Sequence, residues 1–373
     1  MATAIGLVFW AFCLTLLVRE NWDGDLRGLA LFDARRPATT ELLRQVPKHR
    51  SGYDGQFYSI LATDPLFLDP ATTEAIDNPT FRGRRVLLSL AAWILSGFGE
   101  SRAAVVYILL TWLGALASII ITGCWLISIG ASPLWTLALW LNVGIFVGVT
   151  RVLVDPAATA FVLLAVVTWE RRGFSLAPWV AAAAALTRET ALLVAPAMAV
   201  DAWRSGRRRD AVAAVAIPCG LLGGWMAYLG LHLARLPQIG RTNLWWPFGW
   251  LPGRFERLRS APSRLLVTIE SFSTLALLCS IALAATLVVA FWRTRRWPGP
   301  AELAFLAFTT LAIVLSPKVY SSFNHFTRIL LPLPFLALVI GETLGAGWSR
   351  RLGRAAVLFG LAAGAFASIR ALA

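Results

Sequence analysis

Hydrophobic positions along this chain fall in long continuous runs separated by short polar breaks. A first run covers roughly residues 4–18, and a polar stretch follows from residue 19 to about 85. A shorter apolar run, 86–98, comes next. Further runs cover 103–130, 134–150, 157–169, 176–186, 191–202, 212–233, 267–292, 303–315, 329–347 and 355–369. Because these positions are continuous and not alternating, they predict helices and exclude the strands of a β-barrel. Runs near 20 residues are long enough to cross a hydrocarbon core of about 30 Å. The pattern predicts an all-α polytopic membrane protein, one domain over 1–373. A first external loop over 19–102 carries interfacial helices, and a second large loop covers 234–266. The run 86–98 is too short to span and is expected to lie in the interface.

Composition strengthens this reading. Hydrophobic residues make up 58% of the chain and charged residues only 14%, against about 25% charge in a soluble domain. The net charge is +14. Its basic residues sit in short clusters between apolar runs, with no nucleic-acid recognition motif beside them, so they read as orientation signals and partners for anionic lipids, not for nucleic acid. With 86–98 in the interface, the clusters at Arg171-Arg172, Arg207-Arg208-Arg209, Arg295-Arg296 and Arg350-Arg351 all fall on the cytoplasmic side. That arrangement obeys the positive-inside rule and gives about 11 spans, with the N-terminus inside and the C-terminus outside. The first run lacks a basic start and a cleavage signature and reads as a retained helix. Cys13, Cys124, Cys219 and Cys279 lie in apolar runs and read as small buried hydrophobes.

Polar residues with chemical potential gather in the loops assigned to the external face. Gly52-Tyr53-Asp54-Gly55-Gln56-Phe57-Tyr58 reads as the start of a short amphipathic helix, with Tyr53 and Phe57 on its apolar face. Asp54 there suits a general base acting on a hydroxyl, and it equally suits a helix cap. The run from Asp77 to Val86 holds Arg82, Arg84 and Arg85 ahead of an apolar segment. Arg84 and Arg85 are candidate phosphate ligands or headgroup anchors. Asp155, Arg188 and Glu189 lie in or beside apolar runs, where charge is costly and defaults to paired or functional roles. His325 and Arg328 open a late span from outside, and Arg328 is a further phosphate candidate. Asp23 and Asp25 form a D-x-D, a weak metal or sugar signal. The aromatic loop at Trp245-Trp246-Pro247-Phe248 reads first as interfacial. No P-loop, H-E-x-x-H or G-x-S-x-G is present, so soluble nucleotide-dependent chemistry is unsupported.

The segment Gly52–Tyr58, the Asp-Asn-Pro-x-x-Arg-x-Arg-Arg run from Asp77 to Arg85, and Leu186-Thr187-Arg188-Glu189-Thr190 together resemble a bacterial GT-C-like family linked to cell-surface glycopolymer formation. That family is distantly similar to glycosylphosphatidylinositol mannosyltransferase II, where a Trp-Asp-x-x-x-Tyr/Phe motif occupies the first luminal loop. Here Tyr53 stands in place of the Trp, and Asp54 matches the acid. The resemblance is strongest over residues 50–200. It implies a multi-pass glycosyltransferase of the bacterial inner membrane with its site on the external side. A polyprenyl-phosphate sugar would be the donor and a glycan or glycolipid the acceptor, with membrane lipids around it. It also implies Asp54 as the catalytic acid and Arg84 or Arg85 on the donor phosphate; the residues themselves add Arg328 as a further phosphate candidate and Tyr53, Tyr58, Asp77, Asp155, Arg188, Glu189 and His325 as candidates to line the site. The second acidic motif that holds metal in some relatives is reduced to Asp155, so no metal or other cofactor is expected. Two rivals are a flippase of lipid-linked saccharide and a non-catalytic subunit of an envelope polysaccharide complex. The flippase predicts charge along a path through the bilayer, and the subunit predicts that Asp54 is replaceable.

Overall fold

A computed structural model describes residues 2–233, 243–260, 262–345 and 347–372. Most of these residues are helical. The long N-terminal helix α1 (Ala2–Trp22) leads into the first loop, which folds into short pieces. These are α2 (Glu41–Gln45), α3 (Asp54–Leu61), α4 (Pro70–Ala75), α5 (Pro79–Gly83) and α6 (Leu87–Leu95), with a two-residue parallel pair of strands, β1 (Phe32–Asp33) and β2 (Lys48–His49). A bundle follows: α7 (Glu100–Ser128), α8 (Thr136–Trp140), α9 (Val143–Thr150), α10 (Asp155–Glu170), α11 (Ala177–Thr187), α12 (Val194–Arg204) and α13 (Arg208–His232). The chain ends in α14 (Leu251–Ser260), α15 (Arg264–Thr294), α16 (Pro300–Val314), α17 (Phe323–Ile329), α18 (Pro332–Leu344) and α19 (Gly347–Leu372).

Four of these helices are long and apolar enough to cross a membrane, α7, α13, α15 and α19 to Ile369, and up to six candidates result if each of two bent pairs counts as one span. The pairs are the segment Pro133–Trp140 with α9, bent by 52°, and α17 with α18, bent by 54°. Asn142 breaks the first by accepting the Gly144 N–H at 2.9 Å and so capping α9. Pro332 starts the second helix of the other pair, because its ring cannot continue the helix before it. Helix α6 has nine residues, about 14 Å of rise, too short to span, and its far end exposes Ile94 and Leu95.

The first loop is packed, not draped on a surface. Expectation put Tyr53 and Phe57 against the membrane. Instead Phe57, Tyr58, Ile60 and Leu61 are all buried. Phe57 and Ile60 join Phe32, Leu42, Leu43 and Leu229 in one cluster, and Tyr58 joins Tyr107, Val152 and Val154 in another. Helix α3 is therefore an internal wedge held by neighbouring helices on both sides. Helix α13 secures the same loop through three side chains. Trp225 donates to the Gly83 carbonyl at 2.8 Å, Tyr228 to Leu66 at 2.8 Å, and the His232 ring meets the Phe67 carbonyl at 2.8 Å. Of the cysteines, Cys124 and Cys219 are exposed on the bundle surface, not buried; lipid contact satisfies a small apolar side chain as well as a core does.

Candidate functional site

The loop's short helices fix the direction of its charged side chains. Asn78 caps α5 by accepting the Phe81 N–H at 3.0 Å, and Pro79 fills the first helical turn, where a missing N–H costs nothing. The cap sets Arg82 on α5 and Arg84 and Arg85 just beyond it. Helix α3 begins with Tyr53 as its cap residue, and no side chain caps it. Asp54 occupies the first helical position, and its carboxylate is spent elsewhere, which removes the capping reading of this residue.

Asp54 sits between two arginines brought from opposite ends of the sequence. Its Oδ1 pairs with Arg82 Nη1 at 3.0 Å, and its Oδ2 pairs with Arg328 Nη2 at 2.6 Å. Arg82 is itself gripped by Asp77 through Nε and Nη2, each at 3.0 Å. Burial opposes the charge on Asp54, but Arg328 and then Arg82 more than offset it, so its carboxyl is held well below the usual carboxylate range. Tyr53 presents its ring to Arg151 at 5.3 Å and to Arg328 at 5.5 Å, cation–π distances that favour desolvated guanidiniums.

Beside this group lies a second. Glu189 receives Arg85 through Nε at 2.8 Å and Nη2 at 2.7 Å, and Arg84 through Nη2 at 3.3 Å. Arg85 also donates to the Tyr58 hydroxyl at 2.5 Å. Arg188 turns the other way and pairs with Asp155, both side chains buried. Adjacent residues on a turn thus serve different partners, as their divergent directions require. Among the described residues, Arg82, Arg84, Arg85, Arg188 and Arg328 gather here against Asp54, Asp77, Asp155 and Glu189, and Arg151 stacks on Tyr53.

The arginines are not equally committed. Arg84 and Arg85 are taken by Glu189. Arg328 Nε and Nη1 and the Tyr53 hydroxyl are buried without a hydrogen-bond partner among the described residues. Buried N–H and O–H groups left unpaired are costly, so these are the donors with capacity for an incoming oxyanion. Helix α17, which carries His325 and Arg328, is itself positioned. Glu270 on α15 accepts the Phe323 N–H at 3.2 Å and pairs with Arg254 of α14 at 2.5 Å, with both charged side chains at 1% exposure or less.

The fold brings Asp54, Tyr53, Tyr58, Asp77, Arg84, Arg85, Glu189 and Arg328 together, in different roles. Tyr58 and Asp77 hold arginines, Asp155 and Arg188 form a buried pair in which Asp155 Oδ2 has no hydrogen-bond partner among the described residues, and His325 is half-buried one turn from Arg328. Sequence reading did not assign Arg82 or Arg151. Arg82 was legible only as one of three basic residues, and Arg151 follows an apolar run without any motif. Asp23 and Asp25 stay apart from the cluster. Asp25 caps the turn Leu26–Ala30 and pairs with Arg27 at 2.7 Å, and Asp23 is exposed. Glu342 pairs with Arg354 at 2.6 Å and Arg350 at 3.3 Å, so it is not a lone carboxylate on a bilayer path. The early part of the second large loop, 234–242, lies outside the described residues.

An apolar groove of about 800 Å³ runs between α1, α7, α8 and α9. Trp10, Leu14, Trp112, Trp140, Ile145 and Val149 line it, and Arg19 and Leu26 form its end at the first loop. Val149 precedes by two residues Arg151, the arginine stacked on Tyr53. In comparisons with known proteins, the chain matches no family model, no curated protein and no solved structure.

Proposed function

We propose that this chain is a membrane glycosyltransferase that moves a sugar from a polyprenyl-phosphate donor to a glycan or glycolipid acceptor. The observation that carries the reading is Asp54 paired with Arg328, whose buried Nε and Nη1 have no hydrogen-bond partner among the described residues. A lipid phosphate needs charge stabilisation where it leaves, not a proton. Arg328, with the Tyr53 hydroxyl, supplies donors of that kind, and Arg84 and Arg85 contribute field while bound to Glu189. The groove ending at the first loop suits the prenyl chain. Asp54 is the catalytic carboxylate, contacting the acceptor hydroxyl and fixing Arg328. The acceptor oxygen attacks the anomeric carbon as the bond to phosphate breaks, and one displacement inverts that centre.

In this reading α1, α10, α11, α12 and α16 cross with the longer helices and the two bent pairs, giving about 11 spans in a GT-C-like bundle. The basic ends of α10 and α12 face the cytoplasm, and the cluster around Asp54 faces out of the bacterial inner membrane. Native mass spectrometry of the purified protein with added polyprenyl phosphate tests the assignment. Binding by wild type that is lost in Arg328→Gln, and not recovered in Arg328→Lys, is expected because a point charge does not reproduce a guanidinium fork. Equal binding by all three proteins would refute it.

A further inference from the structure

Both carboxylate oxygens of Asp54 are engaged, one by Arg82 and one by Arg328. A carboxylate between two guanidiniums is a feeble proton acceptor, because each cation favours the charged form that protonation would destroy. A hydroxyl attacking at this site must still release its proton. His325 stands on α17 one turn before Arg328, and residues three apart share a helix face. Its ring is half-buried and makes no hydrogen bond among the described residues. The charged groups around it are Arg328 on its own helix, Asp54 from α3 and Lys318 from the turn before α17. Imidazole is the side chain whose ordinary pKa lies nearest neutrality, and its neutral form keeps one ring nitrogen free to accept.

We propose that His325 takes the proton of the acceptor hydroxyl, while Asp54 orients that hydroxyl and holds Arg328. This rests on the glycosyl-transfer reading above. In the step, the acceptor oxygen bonds to the anomeric carbon and the bond from that carbon to the phosphate oxygen breaks. The bonding electron pair departs with the polyprenyl phosphate, and the hydroxyl proton passes to the free ring nitrogen of His325. The imidazolium then returns its proton to water, so no further reagent is required.

The test is the pH profile of sugar transfer in proteoliposomes, measured for wild type, His325→Gln and His325→Ala with polyprenyl-phosphate sugar as donor. Wild-type rate should fall on the acid side, at a pH below the ordinary imidazole value, because burial and then Arg328 disfavour the imidazolium of His325. His325→Gln should lose that acid limb and about 10²-fold or more in rate. Added imidazole should restore part of the activity of His325→Ala, and both variants should still bind polyprenyl phosphate. Wild-type turnover with an unaltered rate and profile in His325→Gln would overturn this inference alone. So would loss of activity together with loss of polyprenyl-phosphate binding, which would make the residue structural. Absence of transfer by wild type at every pH would overturn the glycosyl-transfer reading and this inference with it.

Discussion

Replacing Asp54 with Asn removes one negative charge from between Arg82 and Arg328 and keeps the size of the side chain. The two arginines are affected unequally. Arg82 retains Asp77, bound through two nitrogens at 3.0 Å each. Arg328 is 9% exposed and loses its carboxylate, while its Nε and Nη1 already lack hydrogen-bond partners among the described residues. Breaking a buried ion pair by removing one partner costs about 3–5 kcal/mol. The Asp54 side chain is 21% exposed, so water recovers part of this, and a loss of roughly 2–3 kcal/mol is expected. Sugar transfer should suffer more, because displacement of a positioning group by about 1 Å can cost about 10²-fold in rate. Thermal unfolding followed by tryptophan fluorescence in detergent, beside transfer in proteoliposomes, measures both. Adding Arg328→Gln to Asp54→Asn should recover stability, since the unpaired cation is gone, without recovering transfer. The pH dependence has a fixed sign. The folded-state pKa of Asp54 lies below its unfolded value, so its stabilisation is complete above about pH 4 and fades as pH falls through the lower folded value. Wild type and Asp54→Asn should therefore converge in stability in strong acid. A variant matching wild type in both unfolding and turnover at neutral pH would refute the reasoning.

Gly55→Ala should destabilise the protein by about 1–3 kcal/mol, since its added methyl would meet the Arg151 carbonyl oxygen, a backbone atom that cannot swing aside; an unchanged unfolding temperature would show that α3 does not press on that segment. Glu189→Gln unpairs Arg84 and Arg85 and should cost about 3 kcal/mol without weakening polyprenyl-phosphate binding; a loss of affinity equal to that of Arg328→Gln would return the phosphate contact to that pair. A cysteine replacing Arg208 should resist membrane-impermeant reagents in intact cells, and labelling from outside would reverse the proposed orientation.

Helix positions were legible because the apolar runs are continuous, and four of the resulting helices are long and apolar enough to cross a bilayer. The breaks were less so. Residues 134–150 read as one run, yet the Asn142 side chain finds Gly144 N–H and bends the chain. Local hydrogen bonding of this kind competes with the helix and leaves no mark on hydrophobic periodicity. The first loop looked amphipathic, and burial on both faces of α3 depends on helices far along the chain, such as Leu229 of α13. Asp54 was identifiable as a residue of interest, but not its partners. Arg82 lies 28 positions from it and Arg328 far beyond, and spacing rules reach only neighbours within an element. The cap and ion-pair roles of Asp54 differ only in where the carboxylate points, which the fold decides.

The most direct test of the central claim follows the donor itself. Purified protein is reconstituted in vesicles containing polyprenyl-phosphate sugars labelled in the sugar, together with a lipid extract as acceptor, and the lipids are resolved after incubation. The account predicts that label leaves the donor and appears in a new glycolipid with wild type and not with Asp54→Asn. Labelled donor that crosses the bilayer chemically unchanged, or that stays where it was with both proteins, would contradict it.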